Sequence, residues 1–236
     1  MATRTLIQLI NDVGIHLRLS DGTTYTTINQ DQDAVFINSM INKAKDMVEG
    51  EELWNNQTAA VAFSSVVSTP TYDLSSGGIV TSGVVTNERS KMIKLDNGMP
   101  AFWDITNTAG RSRLRQRTRQ WVELQQAVLP NVTQSIPVWF AIYQTGNGLT
   151  VSFPYTVGAI RNYRLNVYTP QDDLDASADV LVAPHRPVVF AAVALAAGER
   201  GEELGLDAST WWEQYNSALS QALVNNMETD PVLVAD

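Results

Sequence analysis

The chain has 236 residues, 44% of them hydrophobic, no cysteine and a formal charge of −9. That size and apolar content can bury a core without staples, and the lack of cysteine excludes disulfides, thiolate nucleophiles and cysteine zinc sites. The acidic balance weighs against nucleic acid as the main partner, since such binding relies on Lys and Arg displacing counterions.

No apolar run approaches the roughly 20 residues that span a bilayer. Met1-Ala2-Thr3-Arg4-Thr5-Leu6 lacks the charged-then-apolar layout of a secretory signal. A soluble protein made in a cytoplasm, with no membrane partner, is the expectation.

Leu6, Ile10, Val13 and Leu17 recur at helical spacing, with Thr5 as a cap and Ser20-Asp21-Gly22 as a stop. A second helix is expected from Gln30 or Asp31, where Ile37, Ile41, Ala44 and Val48 form one face. The middle changes character. Thr58 to Thr69 is rich in Val, Ala, Phe, Ser and Thr and reads as strand, with Pro70 to Leu74 as an extended exit. Ser75-Ser76-Gly77-Gly78 is a turn, Ile79 to Thr86 and Lys91 to Leu95 are short strands, and Asp96-Asn97-Gly98 is a hairpin turn. Val138 to Tyr143 and Leu149 to Phe153 form a hairpin around Thr145-Gly146-Asn147-Gly148, and Arg161 to Tyr168 alternates as a half-buried strand does.

Helix returns at Pro187, which suits a first helical turn, and the alanines that follow permit close packing. Gly205 breaks the chain, Asp207 caps, and Trp212, Tyr215, Leu219 and Leu223 form the last amphipathic face. The expected architecture is α+β: an antiparallel helical bundle of N- and C-terminal helix pairs (residues 1–55 and 177–226), an inserted small antiparallel β-sheet domain (56–176) and an extended C-terminal tail (227–236). A packed base with a free terminus equips a subunit to reach into a neighbour.

Nothing in the chain reads as a catalytic centre. His16 and His185 lie far apart and read as surface or capping residues, with no clustered partners in sequence. Asp172, Asp173, Asp175 and Asp179 lack the glycine bend and terminal glutamate of a calcium loop and read as solvated or capping acids. No phosphate-cradling glycine loop or nucleophile elbow is present. No catalytic residue, metal site or cofactor is therefore expected.

The sharpest local pattern is Arg111, Arg113, Arg115, Arg117 and Arg119, alternating perfectly and followed by Trp121. As a strand, this run puts every guanidinium on one side; as a helix, it spreads them. Three readings stand: a subunit or tail interface, a solvated face paired with nearby acids, or a contact to a phosphate backbone.

Several segments, taken in order, resemble the head-to-tail adaptor (connector) proteins of tailed bacteriophages. They are Thr5 to Val13, Ile41 to Glu49, Trp54, Pro70 to Leu74, Ser135 to Ile142, Leu149 to Pro154, Leu165 to Tyr168, and the alanine-rich helix ending in Glu199-Arg200-Gly201-Glu202. The resemblance implies a structural, non-enzymatic subunit of a dodecameric ring in the virion neck. That ring joins the portal protein ring to a downstream tail protein and continues the channel through which DNA passes without specific binding. It also implies that the C-terminal segment reaches the portal, through Asn225, Asn226, Met227, Pro231, Val232, Leu233, Val234 and Asp236. The sheet near Ile79 to Leu95 would face the tail. A nucleic-acid-binding module using the Arg111 to Arg119 stripe is the alternative. Between Ser75 and Gln134 the resembling motifs thin out.

Overall fold

The computed structural model describes residues 3–19, 24–75, 80–83, 85, 89–94, 98, 100–107, 111–130, 132–134, 136–145 and 148–228. In chain order the elements are β1 (Arg4–Thr5), α1 (Leu6–Leu17), α2 (Gln32–Glu51), β2 (Thr58–Ser64), β3 (Thr71–Asp73), β4 (Val80–Ser82), β5 (Lys91–Met92), β6 (Phe102–Asp104), β7 (Ser112–Arg113) and β8 (Arg115–Gln116). They continue with α3 (Arg119–Val128), β9 (Thr133–Gln134), β10 (Trp139–Thr145), β11 (Gly148–Ser152), β12 (Thr156–Val157), β13 (Asn162–Tyr168), β14 (Val180–Leu181), α4 (His185–Leu204) and α5 (Ala208–Glu228). The chain divides into two compact units, Met1–Gln57 with Gln171–Asp236, and Thr58–Pro170.

The first unit is helical. Leu6, Leu9, Ile10, Val13 and Leu17 of α1 are fully buried, each contributing about 1.5–3 kcal/mol by leaving water. The Thr5 N–H donates to Gln8 Oε1 at 3.1 Å, which satisfies one orphan donor of the helix start. The helix stops at Leu17 because Arg18 turns left-handed (φ 57°), before the expected stop at Ser20-Asp21-Gly22, which lies outside the described residues. Asp31 caps α2 by accepting from the Ala34 N–H at 2.8 Å.

The expectation of two helix pairs around a small antiparallel sheet is corrected here. Helix α4 packs against α1, α2 and α5. The physical reason is its composition: Val188, Ala191, Ala192, Val193, Ala194 and Ala196 are all buried, so α4 is apolar around its circumference and is surrounded rather than paired. Helix α5 starts after Gly205 (φ 61°). Asp207 accepts there from the Ser209 N–H (2.9 Å) and Oγ (2.7 Å). The helix runs through Met227 and Glu228, so it continues past residue 226, where an extended tail was expected. Residues 229–236 of that tail lie outside the described residues.

The second unit is a large sheet-rich body, not a small antiparallel insertion. One sheet has the order β4-β2-β13-β6-β7, with β5 also on β13; the other is β3-β11-β10-β8. The β8–β10 and β9–β12 pairs are parallel. Both sheets share one core: Val61, Phe63, Phe102, Tyr163 and Leu165 from the first meet Tyr72, Phe140, Val151 and Phe153 from the second. Ring centroids of Phe102 and Phe140 lie 4.6 Å apart, edge to face, and those of Phe153 and Tyr163 lie 5.3 Å apart. The β10–β11 hairpin forms where expected, and β13 alternates with Tyr163, Leu165 and Val167 inward. Strand β2 ends at Ser64, short of Thr69, because the chain turns with Ser68 at φ 66°. The turns expected at Ser76-Gly77-Gly78, Asp96-Asn97 and Gly146-Asn147 fall on residues outside those described.

Candidate interaction surface

The arginine run lies at the seam between the two sheets. Strand β7 pairs with β6 of the first sheet, and β8 pairs with β10 of the second. Leu114 between them is buried, and its N–H donates to the Phe102 carbonyl at 3.1 Å. The Arg115 and Arg117 N–H groups donate to Val138 and Phe140, both at 2.8 Å. The backbone is thus extended through Arg117, and helix begins only at Arg119, capped by Thr118. Arg111, Arg113, Arg115, Arg117 and Arg119 are all exposed, as are Ser112, Gln116, Thr118 and Gln120 between them, and only Leu114 of the run is buried.

Aromatic rings line this run. The Arg117 guanidinium lies 5.7 Å from the Trp121 ring and 5.9 Å from that of Trp139. Arg113 lies 5.9 Å from Trp103, and Arg119 lies 4.3 Å from Tyr143. Each contact is favourable by about 0.5–1 kcal/mol at an exposed site. Register adds another cation, since Trp103 sits opposite Arg113 on β7 and opposite Arg164 on β13. Among the described residues the run makes a single ion pair, Arg119 to Glu123 at 2.6 Å. That bond raises the Arg119 pKa. Leu124, Val128, Leu129, Val132, Ile136 and Val138, on α3 and the segment after it, are exposed. Arginine, indole and bare aliphatic side chains therefore occur together along 111–139.

Sequence reasoning found the arginines and Trp121 but missed Trp103, Trp139, Tyr143 and Arg164. The available signal was alternation, since Trp103 and Trp139 each neighbour a buried phenylalanine, Phe102 and Phe140.

The two units carry opposite charge. Thr58–Pro170 holds ten Lys and Arg against five Asp and Glu, a formal +5; the helical unit holds six against twenty, a formal −14. The chain's acidity therefore resides in the helical unit, and the sheet unit is basic.

Of the other expected site residues, Asn225 and Asn226 have local partners. Asn226 is tied to the segment after α2: the Asn55 N–H donates to Asn226 Oδ1 (3.1 Å), and Asn55 Nδ2 donates to the Asn226 carbonyl (2.8 Å). Asn225 lies 3.5 Å from Gln221. Met227 continues α5, while Pro231, Val232, Leu233, Val234 and Asp236 lie outside the described residues. His16 packs on Trp211 and Phe190, at centroid distances of 5.1 and 6.2 Å. His185 opens α4, and both histidines line one shallow cleft with Arg4, Asp12 and Arg186. Burial, aided by Arg4 and Arg186, lowers the His185 pKa.

Asp179 accepts from the N–H groups of Ala176 and Asp175, and those bonds lower its pKa. No group of three or more His, Cys, Asp or Glu able to hold a metal occurs among the described residues. No helix among them is long and apolar enough to cross a membrane.

Lys45 was not foreseen as a structural residue. It is fully buried, and its Nζ donates to the carbonyls of Gln171 (2.7 Å) and Asp172 (3.2 Å). Carboxylates of Asp46, Asp173 and Glu49 lie 3.1, 3.6 and 3.9 Å away. Glu49 also accepts from Gln57 and from the Gln171 N–H. One ammonium thus fastens the 171–173 segment to α2 and draws together the buried Glu49 and the exposed Asp46 and Asp173.

No family model and no curated protein matches this chain.

Proposed function

We propose that the chain is a structural head-to-tail adaptor subunit of a tailed bacteriophage, built into a dodecameric ring between the portal and a downstream tail protein. The reading starts from the resemblance that the order of motifs along the sequence bears to that family. The surface along 111–139 is the observation that carries the assembly role. Arginine and tryptophan are the residues that concentrate binding energy at protein interfaces, and here they stand beside exposed aliphatic side chains with Glu123 as the one counter-ion among the described residues. In this reading the protein works by binding, and the acidic helical unit offers DNA little to adhere to.

A second reading, a nucleic-acid-binding module, draws support from the +5 sheet unit and from indoles interleaved with arginines. Sedimentation of the purified protein with the portal ring of the same virus separates the two. A shift matching twelve copies per portal ring is expected for the adaptor. No shift, with salt-sensitive retention of duplex or single-stranded DNA, would replace the adaptor by the second reading.

A further inference from the structure

We infer that a groove in the helical unit, between the start of α4 and one face of α5, binds an extended peptide segment of a protein partner that combines acidic and apolar residues. This goes beyond the adaptor reading, because it concerns a different surface and rests on the lining and charge of the groove alone. The groove measures about 560 Å³, within the range of roughly 300–1,000 Å³ in which ligand clefts fall. Its apolar lining comes from Pro184, Pro187 and Phe190 around the start of α4, and from Ala218 and Ala222 of α5. Those two alanines stand one helical turn apart, and such small side chains leave room for a chain to lie along the helix.

Polar groups follow the same wall. Gln214, Ser217 and Gln221 of α5 line the groove and are exposed. Amide and hydroxyl side chains both donate and accept, which matches the alternating N–H and C=O groups of an extended peptide. A phosphodiester backbone offers acceptors only, and its affinity grows with the number of cations it meets.

Charge sets the sign of the occupant. The helical unit carries twenty Asp and Glu against six Lys and Arg. Among the described residues no carboxylate lines this groove, whereas His185 and Arg186 do. Arg186 is exposed and has no acidic partner among the described residues. Lys43, Lys45 and Arg200 of the same unit are all paired. An adjoining cleft of about 240 Å³ shares His185, Arg186 and Phe190 and adds Arg4 and His16, with Asp12 as its one lining carboxylate among the described residues. An acidic side chain of the bound segment meets Arg186, and its apolar neighbours bury against Phe190, Pro187 and Ala218.

Selection of binders to the intact chain from a displayed library of random peptides tests this. Enriched peptides should carry Asp or Glu beside Leu, Val or Phe, and their affinities are then read by fluorescence anisotropy. Arg186→Glu should weaken binding on the order of tenfold or more, since like charges then face each other. Glu is favourable in the first turn of a helix, so this variant keeps its fold. Ser217→Trp, at an exposed helix position, fills the groove and should abolish binding. Arg115→Glu with Arg117→Glu should leave binding unchanged. Far-UV circular dichroism melts check that each variant folds.

Absence of enriched peptides would overturn the inference, as would binding that survives Arg186→Glu or Ser217→Trp. Enriched peptides without acidic residues would refute the assigned charge. Binding lost only in the Arg115→Glu, Arg117→Glu variant would move acidic peptides to the arginine run. DNA retention or self-association that Arg186→Glu removes, with no peptide enriched, would give the groove to nucleic acid or to a second copy instead. The adaptor reading is tested separately, by sedimentation with the portal ring, and stands or falls independently of these results.

Discussion

Replacing Lys45 by methionine keeps most of the side-chain stem and removes the ammonium from a position with no solvent exposure. Two carbonyl acceptors, of Gln171 and Asp172, then lose a charged donor; hydrogen bonds to charged groups contribute about 1.5–3 kcal/mol each. Glu49, with 3% of its side chain exposed, loses its nearby cation, whereas Asp46 and Asp173 are 47% and 73% exposed and can return to water. The cost concentrates on the two carbonyls and Glu49 and falls at about 3–5 kcal/mol, the range for breaking a buried pair from one side. With a urea slope of about 2–3 kcal/mol/M, the midpoint of the helical signal should fall by about 1–2 M. Lys43→Met is the control, since Lys43 pairs with Glu199 at 2.9 Å on an exposed surface, where pairs contribute about 0–1 kcal/mol. If the two variants unfold at the same urea concentration, the structural role assigned to Lys45 is wrong.

Gly148 has φ 129°, and a Cβ there would lie 2.1 Å from the Val85 carbonyl oxygen. Gly148→Ala should therefore destabilise the sheet unit by more than about 1 kcal/mol, and an unchanged melting temperature would contradict the tight approach of that backbone. His185 has a depressed folded pKa, so the unfolded chain takes up the proton first. The stability this residue supplies is whole above the ordinary imidazole value of 6.5 and is lost as pH falls below it. His185→Gln should flatten that acid limb in melts recorded from neutral pH downward, and an unaltered slope would show that the limb belongs to other groups. Deleting Pro231 to Asp236 should leave the melt of the helical unit unchanged while weakening attachment to the portal. Normal portal attachment after the deletion would remove that segment from the contact.

The legible parts of the fold are those in which local pattern and burial agree. Helix α1, the start of α2 near Asp31, the β10–β11 hairpin and β13 are all written in periodicity or turn chemistry. The arrangement of the helices was misread because amphipathic spacing was used to pair α4. Its dense run of Val and Ala, apolar on every side, instead marks an element with neighbours all around. The sheet body was underestimated because β5, β6, β7, β8 and β9 are only two or three residues long, too short to alternate visibly. Their pairing is set by distant partners such as β13. Helix α3 hid for a related reason, since Val122 is its only buried side chain among the described residues.

At the interaction surface, the alternation of the arginines marked the run as extended, which holds through Arg117. It could not reveal that Trp103 of β6 stands against Arg113 and Trp139 of β10 against Arg115 and Arg117, which is a matter of tertiary register. Lys45 was hidden by its residue type. Its spacing from Ile41 and Val48 places it toward the apolar face of α2, yet its role depends on carbonyls more than a hundred residues away.

The most direct test of the adaptor reading is the copy number of this chain in purified virus particles, measured by quantitative mass spectrometry against the portal subunit. A ring stacked on the portal predicts one copy per portal subunit, retained after the particles are stripped of loosely bound protein. Absence from the particles, or a ratio far below one, would contradict a structural place in the neck.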